Sequence, residues 1–273
     1  MMRIQNRMQG FTLIELLMVI VITGILAPVI ATFIKQPVDA YFNSVRRAAL
    51  TDEADTAIRR MARDIHKALP NSIRKPNNNC IEFIPTKTGG RYRAEKDSSG
   101  DGDILDFTAL DTSFDMFGLN SALPAAQQIV AGDMIAVYNL GMTGANAYNA
   151  ENTVTVDSVG NDDLSGETKI TFTAKQFPLA SSSHRFHVIP ANEKIVSFVC
   201  SGDELYRTSN YVYTDSCSTI GGALLAQHVT SCTFAYNNFD MQRNGLVQMT
   251  ITLTDDSGES VSLYHEAHVD NSP

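Results

Sequence analysis

From Phe11 to Ile34 the sequence FTLIELLMVIVITGILAPVIATFI is apolar at nearly every position and carries one charge, Glu15. At 1.5 Å per residue a helix of this length reaches roughly 36 Å, which spans a bilayer. Arg3 and Arg7 precede it with no acidic residue, a bias that holds the leader in the cytoplasm and sends the C-terminal domain across. Lys35, Gln36 and Pro37 mark the bilayer exit. Apolar residues then recur at helical spacing, as Val38, Tyr41, Phe42 and Val45 and, after a phase slip near Leu50, as Ala54, Ile58, Met61, Ile65 and Leu69. This predicts an amphipathic helix whose stripe packs on a domain and which Pro70 and Asn71 end. Arg46, Arg47, Arg59, Arg60 and Arg63 interleave with Asp52, Asp55 and Asp64 on a solvated face, where Asp55 and Arg59 stand one helical turn apart.

Beyond Asn71 the pattern changes to short runs rich in Val, Ile, Thr, Tyr and Phe, bounded by Gly, Asn, Asp and Ser. Strands are predicted at 81–85, 104–109, 134–140, 153–159, 169–173, 186–189, 195–200, 204–208, 231–236 and 246–253. The last alternates as LVQMTITL, turns at Asp255-Asp256-Ser257-Gly258 and returns over 260–269 as a hairpin. A long N-terminal helix packed on an antiparallel β-rich domain is an α+β architecture. The expected organisation is a leader at 1–10, a transmembrane helix at 11–34, an amphipathic helix at 35–70 and one extracytoplasmic domain at 71–273.

The 273 residues, 44% of them apolar, supply a core of ordinary size. Residues 70–273 hold 12 Lys and Arg against 24 Asp and Glu. An acidic domain repels phosphate backbones, so nucleic acid is excluded as an expected partner. Cys80, Cys200, Cys217 and Cys232 form no CxxC pair, and their even number behind an export signal suits two disulfides. Cys200 with Cys217, across a short loop, and Cys80 with Cys232 is the expected pairing among three connectivities.

A secretory signal peptide cut near Val29 and Ala31 competes for the N-terminus. The apolar stretch is too long for that, Glu15 lies inside it, and Pro28 sits where the cut would approach. A plain anchor leaves Glu15 unexplained, since a carboxylate in hydrocarbon costs up to about 2.5–3.5 kcal/mol. Gly10-Phe11-Thr12-Leu13-Ile14-Glu15, followed by the apolar run, resembles the prepilin peptidase site of type IV pilins and secretion-system pseudopilins. The resemblance implies cleavage after Gly10, methylation of the new N-terminal Phe11, and pairing of Glu15 with the Phe11 amine of a neighbouring subunit. It also implies a place just behind a fibre tip, because the family's tip-most K-type pseudopilin lacks this glutamate.

The blocks RRMARDIHKALPNSIR, EFIPTKTGGRYR, GDILDF, VYNLG and LYHEAHVDNSP resemble the larger minor pilin-like proteins of mannose-sensitive haemagglutinin (MSHA) pili; the first block also resembles J-type pseudopilins of type II secretion. The implied partners are other pilin and minor pilin subunits, the prepilin peptidase and the inner-membrane pilus assembly platform. The implied location is the inner membrane, single-pass, with the domain in the periplasm and later on the cell-surface pilus. Function narrows to three classes: a subunit that primes or modifies fibre assembly, a tip-displayed binding module, and a tethered enzyme.

The enzyme class finds little support, for the chain has no GxSxG elbow, P-loop or GxGxxG after a strand. His265, Glu266 and His268 lack the HExxH spacing, and Ser181-Ser182-Ser183-His184 lacks an orienting acid. Asp97, Ser99, Asp101 and Asp103, interleaved with Gly100 and Gly102, echo a calcium loop. Thr108 stands where the closing glutamate belongs, so an Asp/Gly turn competes with calcium. No other cofactor is implied.

Overall fold

The computed structural model describes residues 10–161, 166–210, 217–237 and 244–273. The chain divides into two compact units, 1–49 and 50–273. One helix, α1 (Leu13–Ile65), holds both Pro28 and Pro37 within it. In the first unit the Thr23 hydroxyl donates to the Val19 carbonyl at 2.7 Å, and that of Thr32 to the Pro28 carbonyl at 2.5 Å. The helix therefore satisfies its own hydroxyls, as an apolar surrounding requires. Val38, Tyr41, Phe42 and Val45, expected to pack, are exposed.

In the second unit α1 buries Leu50, Ala54, Ala57, Ile58, Met61, Ala62 and Ile65, a stripe at three- and four-residue spacing. The Asp55–Arg59 pair forms at 2.6 Å on the exposed face. The helix ends four residues before Leu69, because the Leu69 N–H leaves the helical ladder for the Ile84 carbonyl and the Thr86 N–H reaches Lys67. Asp64 meets Arg207 at 2.7 Å, and Arg207 also meets Glu193 at 2.7 Å, which fixes the helix end to the sheet.

The strands are β1 (Arg74–Asn77), β2 (Cys80–Phe83), β3 (Thr88–Arg91), β4 (Asp111–Phe117), β5 (Met134–Val137), β6 (Thr153–Asn161), β7 (Glu167–Lys175), β8 (Arg185–Ile189), β9 (Ile195–Ser201), β10 (Glu204–Asn210), β11 (Ala223–Ala226), β12 (Val229–Asn237), β13 (Asn244–Thr254) and β14 (Ser260–Asp270). They form three antiparallel sheets, ordered β1-β2-β9-β10-β11, β12-β13-β14 and β3-β8-β5-β6-β7-β4. The first two share one core with α1, in which Ile81, Phe83, Phe198, Val247, Met249 and Ile251 surround the helix. The C-terminal hairpin forms in unbroken register, Leu253 opposite Val261, around a turn in which Asp255 caps Ser257 and Glu259.

The third sheet closes on itself. Beyond β3, Tyr92 bridges Met116, and the Arg93 N–H donates to the Asp115 carbonyl at 2.8 Å. The resulting six-stranded barrel has a separate core, with Phe114 edge-on to Phe186 at 5.2 Å and Phe172, Phe177 and Tyr92 around it. All of it lies between β2 and β9, which pair with each other through Phe83 and Val196. The barrel is thus an insertion into a sheet, a division that the chain's composition does not announce.

Two further expectations fail. Residues 104–109 form no strand. The Asp106 carboxylate caps the Thr108 N–H and hydroxyl, and Asp111 caps the Asp106 N–H, so side chains take the backbone groups that a ladder needs. The disulfides are Cys80–Cys217 and Cys200–Cys232, not the expected Cys200–Cys217 and Cys80–Cys232. Cys80 stands opposite Val199 in the β2–β9 ladder, which places Cys80 and Cys200 on opposite faces of the sheet. Cys200 shares the core face with Phe198, and Cys232 comes to it there from β12; Cys80 turns to the other face, where Cys217 lies.

Candidate functional site

Gly10, Phe11 and Thr12 precede the helix, and all three are exposed. The Glu15 N–H donates to the Thr12 carbonyl at 3.1 Å and to the Thr12 hydroxyl at 3.3 Å. Thr12 is therefore the N-cap and Glu15 the third helical residue, the spacing of a capping box. Thr-x-x-Glu before an apolar run was legible in the sequence, but its meaning was hidden behind the stronger membrane pattern. The cap stops the helix one residue beyond Phe11, leaving the Gly10–Phe11 peptide bond outside the helical hydrogen-bond ladder. It also sets Glu15 in the first turn, where the helix dipole favours negative charge.

Among the described residues, no packing neighbour requires glycine at position 10. A Cβ there would meet nothing within 4 Å, and its φ lies outside the left-handed region. The apolar side chains that follow are equally unexplained by packing, with Phe11 81% and Leu13 82% exposed. The described helix includes a segment long and apolar enough to cross a membrane. Glu15 is the acidic residue of the first turn.

The acidic loop folds upon itself. Asp97 accepts the N–H groups of Asp101 at 2.9 Å and Ser99 at 2.8 Å, and these bonds, Asp101's foremost, lower its carboxyl pKa from the ordinary value. Gly100 and Gly102 take φ of +88° and +96° in the turn. Asp103 accepts the Ser113 hydroxyl and meets Lys169 at 3.0 Å. Among the described residues no three His, Cys, Asp or Glu side chains are grouped to hold a metal ion, and Asp97, Asp101 and Asp103 form no such group.

His265, Glu266 and His268 lie on β14, with Glu266 holding Gln248 at 3.2 Å and the Tyr264 hydroxyl. Ser181 donates its N–H to the Tyr92 hydroxyl at 3.0 Å, which ties its loop to the barrel. Arg93 and Glu167 form a buried pair 74 residues apart in the chain, which no pattern in the sequence had pointed to. Separation of that size leaves no local signal.

No curated protein and no solved structure matches the chain. Residues 5–27 match the model of the prokaryotic N-terminal methylation motif, so the capped, apolar N-terminus described above carries a type IV pilin-like prepilin signal.

Proposed function

We propose that the chain is a minor pilin-like subunit of an MSHA-type type IV pilus, resembling the biogenesis protein MshO, which primes or modifies fibre assembly near the tip. Prepilin peptidase cuts after Gly10, and the amine of Phe11 is methylated. Residues 11–34 anchor the subunit in the inner membrane with the domain in the periplasm, where other pilin and minor pilin subunits and the assembly platform receive it. The observation that carries the reading is the methylation motif at 5–27. It falls on a segment where a glycine without packing neighbours precedes a capped, exposed apolar helix. The motif also favours a structural subunit over an enzyme. A J-type pseudopilin of type II secretion shares these features, and the domain blocks quoted above favour the pilus.

A second reading, a tip-displayed binding module, draws support from the inserted barrel, since an added domain with its own core serves no evident need of the anchor helix. The N-terminal peptide tests the first claim: mass spectrometry should find a methylated Phe11, and a mature chain beginning at Thr32 would overturn the processing. Fibre counts in cells lacking the chain then separate the readings. Loss of fibres supports assembly, whereas intact fibres that no longer adhere support the binding module.

A further inference from the structure

The mouth of the barrel is built around an arginine. Arg93 follows β3, and its side chain is almost wholly enclosed. Nε donates to Glu167 Oε2 at 3.0 Å, one terminal nitrogen meets Glu167 Oε1, and the other donates to the Glu95 carbonyl at 3.1 Å. The guanidinium also stands 5.1 Å from the centre of the Phe117 ring. The acidic loop rests on this side chain. At Gly102 a Cβ would fall 2.5 Å from Arg93 Cδ and Nε, so the loop backbone touches the arginine stem where only glycine fits.

The charges of Glu167, Asp115 and Asp97 act on the guanidinium from different sides, and Asp103 adjoins Asp115. Asp115 is buried and accepts the Asp103 N–H at 2.5 Å. A calcium loop draws its oxygens round a cation that every ligand faces. Here the loop's Glu95 carbonyl and the Glu167 carboxylate of β7 face the guanidinium instead, and Asp103 faces Lys169 at 3.0 Å. Arginine suits the position because its planar fork meets a carboxylate with two parallel bonds and it stays charged at every physiological pH.

We propose that Arg93, seconded by Lys169, is the built-in cation of this acidic loop, so that the barrel mouth is set without a divalent metal. Removing one partner of a buried pair leaves the other charged and unpaired, which accounts for the size of the expected effect. The test uses the full chain in detergent micelles. Thermal melts are followed by far-UV circular dichroism, since the chain contains no tryptophan. Wild-type Tm should be the same in calcium, in magnesium and in chelator. Arg93→Met should lower Tm by about 6–20 °C, and adding Glu167→Gln to that variant should recover part of the loss. The proposal is overturned if chelator lowers the wild-type Tm and calcium restores it, if Arg93→Met melts like the wild type, or if Glu167→Gln brings no recovery. Should Arg93→Met fail to fold, Arg93→Lys replaces it; that variant should fold and ignore chelator, and calcium dependence in it would equally overturn the proposal.

Discussion

At the scale of single residues, Glu15 separates two roles that a membrane carboxylate could have. It occupies the first turn of a capped helix, so insertion tolerates it at modest cost. Insertion gains nothing from it. A neighbour's Phe11 amine set against it would fix axial register in a medium where unpaired charge is costly. Glu15→Leu should therefore leave the chain inserted and cleaved after Gly10, while lowering its recovery in sheared fibres about tenfold or more, the factor that about 1.4 kcal/mol sets. Equal recovery would reassign Glu15 to peptidase or methylation recognition.

His187 on β8 shows a different use of charge. Its Nε2 is buried with no hydrogen-bond partner among the described residues. Burial, then the Arg185 charge, push its pKa below the ordinary value, and Asp270 opposes them. A depressed folded pKa means that the unfolded chain takes up the proton first as pH falls. The stability tied to neutral His187 is thus complete above about pH 6.5 and is lost on acidification. His187→Gln should flatten the Tm profile between about pH 7 and pH 5. If wild type and variant lose stability in parallel over that range, the titrating group lies elsewhere.

Among the elements, those with one buried face and one wet face were legible. The paired strands β13 and β14 alternate, and their Asp-rich turn lies where the residues place it. The second half of α1 shows its stripe because only one side is buried. Where the alternation breaks, an element or its facing was not legible. No strand was predicted over β3, which holds Gly89 and Gly90, yet a Cβ at Gly90 would fall 2.8 Å from the Phe186 ring, so glycine is what permits the strand to pack there. In β9 five successive residues are buried, which erases the alternation that would have told which face Cys200 takes. The disulfide pairing failed for that reason. At the N-terminus the methylation motif at 5–27 was legible because it is carried by the residues themselves and owes little to packing.

For the whole molecule the decisive feature is where the barrel enters. β2 and β9 are antiparallel neighbours with Phe83 opposite Val196, so the insertion leaves and returns at adjacent points of one sheet. Its core is distinct from the one around α1, and among the described residues Leu69, Ile84, Met134 and Ile189 belong to a third, small cluster. Replacing residues 86–190 by a short Gly-Ser turn should leave a chain that still folds around α1 and forms both disulfides. Non-reducing peptide maps and circular dichroism check this, and scrambled or free thiols would show that the barrel is needed for the remainder to fold. If the shortened chain still supports wild-type fibre numbers, the assembly role resides in α1 and its sheets, and the barrel serves something else.

The two disulfides interleave along the chain, and this sets a problem of timing. Read from the N-terminus, the cysteines emerge in the order Cys80, Cys200, Cys217, Cys232, while the bridges join the first to the third and the second to the fourth. When Cys200 arrives, the one thiol waiting for it is Cys80, on the neighbouring strand but the wrong face. Oxidation in order of arrival would therefore lock a wrong bridge before either correct partner existed. Maturation of this chain must be slower to oxidise than to emerge, or must include a thiol–disulfide exchange that undoes the first choice.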